Sequence, residues 1–171
     1  MAAFTTEELQ SMIIVNMGDY KTAKGSRKLI TKDLGSCVGI AMRDPETGIG
    51  GLLHIMLPQY MPNGWETSFT AAKYADTGLD ELAKALVQQG AVRERLVAKL
   101  AGAAHMVKVE QVPESRDISS RNLAAVRKKL AELNIPVLAS DVGDYYPRTV
   151  VFEPESGALR IIAPGKAEKT I

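Results

Sequence analysis

A single cysteine, Cys37, and two histidines, His54 and His105, make up the thiol and imidazole inventory of this 171-residue chain. An ordinary thiol is mostly protonated at neutral pH, so a cysteine that attacks a carbonyl needs a base beside it, and imidazole is the natural supplier. Cys37 lies in Gly35-Ser36-Cys37-Val38-Gly39, a frame of small residues in which the chain turns tightly. Such a frame brings backbone N–H groups close to whatever the sulfur attacks, which makes Gly35, Ser36 and Val38 candidates for an oxyanion-binding frame. The spacing matches the G-x-nucleophile-x-G elbow, but that elbow runs straight into a helix, and Val38 to Met42 reads as a strand. An α/β-hydrolase is therefore not expected. The competing reading is that a lone cysteine is a small buried apolar side chain.

His54 stands in the apolar run Gly50 to Leu57, where the plain alternative is a hydrogen-bonded core histidine. If Val38 to Met42 and Ile49 to Leu57 pair as a hairpin, the middle of the second strand lies beside the start of the first, and Cys37 and His54 can face each other. Thr31, six positions before Cys37 on the preceding strand, places a hydroxyl within reach of a histidine ring nitrogen, although threonine is also a common strand residue. His105 falls in a polar loop and is the weaker candidate for a base.

Composition removes several function classes. One cysteine excludes an internal disulfide, and one cysteine with two histidines falls short of the three or four ligands of a zinc site, so neither metal nor cofactor is expected. The 21 basic residues nearly balance the 20 acidic ones, and the short basic stretch from Lys24 to Lys32 has no aromatic residues for base stacking. No nucleic-acid partner is expected. Acidic residues near the N-terminus and an apolar run of only Met12 to Val15 argue against a signal peptide, and no apolar stretch is long enough to span a bilayer. The expectation is a cytoplasmic protein that is not membrane-inserted.

The elements that must position these residues read as a single α+β domain. Strands are predicted at Met12 to Met17, Arg27 to Leu34, Val38 to Arg43, Ile49 to Leu57, Arg95 to Ala101, Val137 to Ser140, Thr149 to Phe152 and Leu159 to Ile162. Asp44-Pro45 and Gly48 supply turn chemistry between the third and fourth of these. Leucines and alanines at three- and four-residue spacing predict one helix over Phe69 to Gln89 and a second, capped by Ser119 or Ser120, ending near Asn134. The segments 1–10 and 164–171 are expected to fray around a core of about residues 12 to 162. The loop after His54 carries Tyr60, Met61 and Trp65, an apolar group suited either to capping the core or to gripping a partner at the rim of a cleft.

Taken together, Thr31, Leu34-Gly35-Ser36-Cys37-Val38-Gly39 and Gly51-Leu52-Leu53-His54-Ile55-Met56-Leu57-Pro58, with the spacing Thr-x5-Cys-x16-His, resemble the CheD family of chemoreceptor glutamine deamidases. Lys73-Tyr74-Ala75-Asp76, Ala101-Gly102-Ala103, Arg121-Asn122, Asp141-Val142-Gly143 and Arg148-Thr149-Val150 extend the resemblance in order. Asp144 and Pro147 depart from it, standing where the family usually has glycines. The resemblance implies a compact α/β sandwich of mainly antiparallel or mixed sheet with about two helices on one face. It implies Cys37 as nucleophile, His54 as base and Thr31 as the residue that orients His54. The implied substrate is a glutamine side chain on the cytoplasmic region of methyl-accepting chemoreceptors, and a methyl ester there would present the same carbonyl. A CheC-type phosphatase is the further partner implied, and a non-catalytic adaptor of that phosphatase is the alternative role.

Overall fold

The computed structural model describes residues 4–62, 68–107, 113 and 116–171. From the N-terminus they form helix α1 (Thr6–Ser11), strands β1 (Ile13–Ile14), β2 (Tyr20–Lys24), β3 (Leu29–Leu34), β4 (Val38–Asp44) and β5 (Ile49–Ile55), then helix α2 (Ala75–Gln88) and strand β6 (Val97–Gly102). Helix α3 (Ile118–Glu132) follows, and strands β7 (Val137–Val142), β8 (Arg148–Phe152), β9 (Leu159–Ile162) and β10 (Lys169–Thr170) complete the order. The strands make two five-stranded sheets, one in the order β1-β3-β8-β9-β10 and the other β2-β5-β4-β6-β7. β1 with β3 and β6 with β7 are parallel, and the remaining pairs are antiparallel, so the expected α+β sandwich of mixed sheet is what the chain adopts.

Side-chain alternation along β4 and β5 builds the layers. Val38, Ile40 and Met42 with Ile49, Leu53 and Ile55 face the apolar sides of α2 and α3, contributed by residues such as Leu79, Leu82, Val126 and Leu130. Ala41 and Leu52 point the other way, into a second core with Leu29, Val150, Phe152 and Leu159 between the two sheets. A central sheet covered by helices on one face and by a second sheet on the other leaves β4 and β5 apolar almost throughout.

The structure departs from the sequence expectations at several ends. Phe69 to Tyr74 does not extend α2, because Met56 and Leu57 donate to the Lys73 carbonyl and Ala75 donates to that of Leu57, tying this stretch to the end of β5. Only Ala71–Lys73 turns, as a short 3-10 segment. Asp117, not Ser119 or Ser120, caps α3: its carboxylate accepts the Ser120 N–H at 2.9 Å. The tail expected to fray pairs β10 with β9, and Ile171 exchanges both backbone bonds with Leu159. Within the N-terminal segment, Thr5 and Glu8 close a capping box on α1.

Candidate active site

The chain passes from one sheet to the other between β3 and β4, and Cys37 lies on that crossing. The β3–β8 ladder breaks register between Thr31 and Leu34, with Asp33 in the left-handed region at φ +57°, and resumes at Leu34 opposite Arg148, where β3 ends and the chain crosses over. β4 then pairs with β5 as the predicted hairpin, placing Gly39 opposite His54. Cys37, two residues before Gly39, extends the same face, and it joins the inter-sheet core beside Leu34 and Leu52. The residues Cys37 and His54 therefore lie on one face of the hairpin, and the Leu34 side chain packs against Gly39 on that face. The residue Cys37 is 8% exposed and His54 1% exposed, so both are buried.

Thr31 reaches His54 from the opposite sheet. Its Oγ1 is 2.7 Å from His54 Nδ1 and 2.8 Å from the Val15 carbonyl oxygen. A hydroxyl has one proton and a carbonyl can only accept, so Thr31 donates to Val15 and accepts from Nδ1–H. That assignment leaves the Nε2 lone pair free, and Nε2 is buried without a hydrogen-bond partner among the described residues. The His54 backbone is fixed as well, its carbonyl accepting from Gly18 N–H at 2.8 Å and its N–H donating to Asp19 at 3.0 Å. An oriented imidazole with an unengaged Nε2 is the form a general base requires.

Burial sets the charge states. It lowers the His54 pKa from the ordinary 6.5 to about 4, opposed in part by the charge of Asp33, and it pushes the Cys37 thiol up against the opposing effect of its own backbone N–H. The resting pair is a neutral thiol and a neutral imidazole.

Three successive carbonyls of the loop Gly35-Ser36-Cys37 are held from outside it. Gly35 O accepts from Ala104 N–H at 2.7 Å, Cys37 O from Ala103 N–H at 2.8 Å, and Ser36 O from Asn122 Nδ2 at 2.9 Å. The same Asn122 nitrogen donates to Met56 O at 3.0 Å, and Ser119, one turn earlier on α3, bonds Ala104 O at 2.6 Å. Of the expected oxyanion frame, Gly35 has its N–H engaged with Asp33 O at 2.9 Å, while Val38 is paired on both sides, opposite Ile55 and Gly102. Ser36 and Cys37 are the amides that trans peptide geometry turns away from the pinned carbonyls.

The remaining candidates lie around this centre. His105 is at the surface, paired with Asp117 at 2.9 Å. Tyr60 packs against Phe69 and Tyr74, with ring centroids 4.6 Å and 5.3 Å away, and Met61 is exposed. Trp65 lies outside the described residues. Met106, which the sequence did not single out, covers Gly35 and is exposed beside Val107. Asp144, one of the two departures noted in the sequence, has φ +59°, a left-handed conformation that aspartate tolerates better than most side chains. A separate cleft of about 490 Å³ between α1, the β3 bulge and the end of β9 includes none of Thr31, Cys37 and His54.

Residues 56–162 match the family described as CheD chemotactic sensory transduction. A probable chemoreceptor glutamine deamidase CheD of Lachnoclostridium phytofermentans is 42% identical over 160 residues, covering 94% of this chain and 98% of that protein. Its counterpart from Syntrophomonas wolfei is 39% identical over 95% of this chain and its own full length. The chemoreceptor glutamine deamidase CheD of Halalkalibacterium halodurans is 40% identical over the same shares. The family match begins past Thr31, Cys37 and His54, but the three relatives are aligned over 94–95% of the chain, and with matches of this extent the chain belongs to the CheD family.

Proposed function

We propose that this protein is a chemoreceptor glutamine deamidase, a cysteine hydrolase that converts receptor glutamine side chains to glutamate. The observation that carries the reading is the His54 tautomer: Thr31 holds the proton on Nδ1, and the free Nε2 shares a face with Cys37. A core histidine kept for stability would have both ring nitrogens engaged.

Because the resting pair is neutral, the thiol proton passes to His54 Nε2 as Sγ attacks the carboxamide carbon. The carbonyl π electrons move to oxygen, and the amide of Cys37, with that of Ser36, is placed to receive the oxyanion. Imidazolium then protonates the departing nitrogen, ammonia leaves, and a thioester remains on Cys37. His54 next takes a proton from water, the hydroxide adds to the thioester carbon, and the thiol is expelled as the carboxylic acid forms. A methyl ester at the same position would enter by the same addition and lose methanol. The exposed Met61, Phe69, Met106 and Tyr145 give the molecule apolar surface on the loops bordering this segment, of the kind that grips a receptor helix or a phosphatase partner.

The test incubates the purified protein with the cytoplasmic fragment of a chemoreceptor and follows the amide-to-acid mass increase of receptor peptides. The parent protein converts specific glutamines, and Cys37→Ala converts none while keeping the parent's circular dichroism spectrum. Conversion by Cys37→Ala at the parent's rate rules the nucleophile out.

A further inference from the structure

Asn122 is fully buried on the first turns of α3, and its two ends are treated very differently. Nδ2 donates to Ser36 O at 2.9 Å and to Met56 O at 3.0 Å, while Oδ1 is buried with no partner among the described residues. Both acceptors are carbonyls, so the orientation of the carboxamide is not ambiguous. A buried, unsatisfied amide oxygen is a net cost to the folded state, one that an apolar side chain of similar size would not carry. The residue is therefore poorly explained by stability alone.

What it joins is informative. Ser36 precedes the thiol and Met56 follows His54 by two positions, so one nitrogen ties the nucleophile loop to the end of the base's strand. The peptide joining Ser36 to Cys37 is planar and trans, so a bond that fixes the Ser36 carbonyl also fixes the Cys37 N–H, pointing the opposite way. The neighbouring carbonyls of Gly35 and Cys37 are held by backbone N–H groups of Ala104 and Ala103. Only the middle peptide depends on a side chain.

We infer that Asn122 is a positioning residue for the reaction: by holding the Ser36 carbonyl it aims the Cys37 amide at the oxyanion that forms when the thiol adds to the substrate. This rests on the deamidase reading above. Both hydrogen bonds of Asn122 go to backbone carbonyls and neither to the sulfur, so its effect is confined to steps that develop negative charge on oxygen.

The distinguishing experiment compares two reactions of the same thiol in the parent, Asn122→Ala and Ser119→Ala. Deamidation of a chemoreceptor cytoplasmic fragment passes through an oxyanion; alkylation of Cys37 by iodoacetamide does not. Asn122→Ala is expected to lower kcat by about 100-fold, the usual effect of losing one oxyanion donor, with KM and the alkylation rate within about twofold of the parent. Ser119→Ala, which loses the neighbouring α3 bond to the Ala104 carbonyl and none to the Cys37 loop itself, keeps the parent kcat per folded molecule. Equal falls in deamidation and alkylation, or an unchanged kcat in Asn122→Ala, overturn the inference while leaving a Cys37-dependent parent activity intact. If the deamidase reading itself is wrong, the parent shows no Cys37-dependent conversion at all. A measurement on the parent guards against a variant that does not fold. A peptide aldehyde analogue of glutamine adds Cys37 Sγ to its carbonyl carbon, the thiol proton ending on the oxygen, and the new oxygen should slow hydrogen exchange at the Cys37 amide. An exchange rate unaltered by the adduct overturns the inference as well.

Discussion

Thr31 Oγ1 and His54 Nδ1, 2.7 Å apart, belong to different sheets, so their contact is a polar joint between the two sheets. Thr31 is completely buried and His54 nearly so. In that setting the hydroxyl decides which ring nitrogen carries the proton, and the packing of one sheet on the other decides whether the hydroxyl arrives.

Removing the hydroxyl should therefore slow chemistry more than it weakens binding. Loss of a buried hydrogen bond worth about 1–3 kcal/mol corresponds to a fall in kcat of roughly fivefold to 150-fold. We expect Thr31→Ala to show that fall with little change in KM, and Thr31→Ser to recover most of it. Steady-state deamidation kinetics check this, and a Thr31→Ala enzyme as fast as the parent would remove Thr31 from the site.

The neutral resting pair predicts two pH dependences. Because folding lowers the His54 pKa from 6.5 to about 4, the unfolded chain binds the proton first, and stability falls as pH drops through that window. The loss is on the order of 3 kcal/mol and should be absent from the acid limb of a His54→Gln variant in urea titrations. The raised Cys37 pKa acts at the other end, where the unfolded thiol ionises first and stability falls as pH rises through the ordinary thiol range. Alkylation of Cys37 should correspondingly climb with pH across neutrality. A flat, fast alkylation rate from pH 5 upward would mean a thiolate–imidazolium pair instead.

Much of this was legible in the sequence because it is local. The hairpin of β4 and β5 follows from turn residues at Asp44 to Gly48 between two apolar runs, and it alone puts Cys37 and His54 on one face. The less legible parts depend on distant segments. β2 is an edge strand with exposed Lys21 and Lys24, so its period-two pattern is faint. β10 is held by pairing with β9 and by Lys99 Nζ, which bonds the carbonyls of Gly157 and Ile171. Ser119 has the chemistry of a cap, yet its hydroxyl is committed to Ala104. Asn122 stood out only as half of Arg121-Asn122, since nothing local reveals that Ser36 and Met56 converge on it.

The ion pair at the start of β8 should show an asymmetric cost. Arg148 is buried and bonds Asp141 Oδ1 at 3.0 Å and Gly143 O at 2.9 Å, while Asp141 has a second cation in Lys169, 2.7 Å from Oδ2. Asp141→Leu strands a buried guanidinium, whereas Arg148→Met leaves a carboxylate that still has an ammonium beside it. Breaking a buried pair from one side costs about 3–5 kcal/mol, and we place Asp141→Leu there and Arg148→Met below it. Denaturant midpoints at constant slope measure the difference; equal losses would show that Lys169 does not compensate.

Gly102 offers the sharpest test of the loop geometry, because it combines a left-handed φ of +107° with a close approach: a Cβ there would lie 2.4 Å from the Cys37 carbonyl oxygen. That atom is backbone and cannot rotate aside, so Gly102→Ala must push the Cys37 peptide out of place. Gly143, at φ +83° with nothing within 4 Å of its Cβ position, supplies the control. Both alanine variants pay the conformational strain of about 1–2 kcal/mol and should lose comparable stability from it, with the collision adding a further loss at Gly102. Only Gly102→Ala displaces Cys37, and a misplacement of a reacting group approaching 1 Å is worth about 100-fold in rate. We expect kcat to fall by that order in Gly102→Ala and to stay within a few-fold of the parent in Gly143→Ala, each normalised to folded protein. Equal rate losses in the two variants would mean that backbone strain alone accounts for the effect and that the Gly102 contact does not set the position of Cys37.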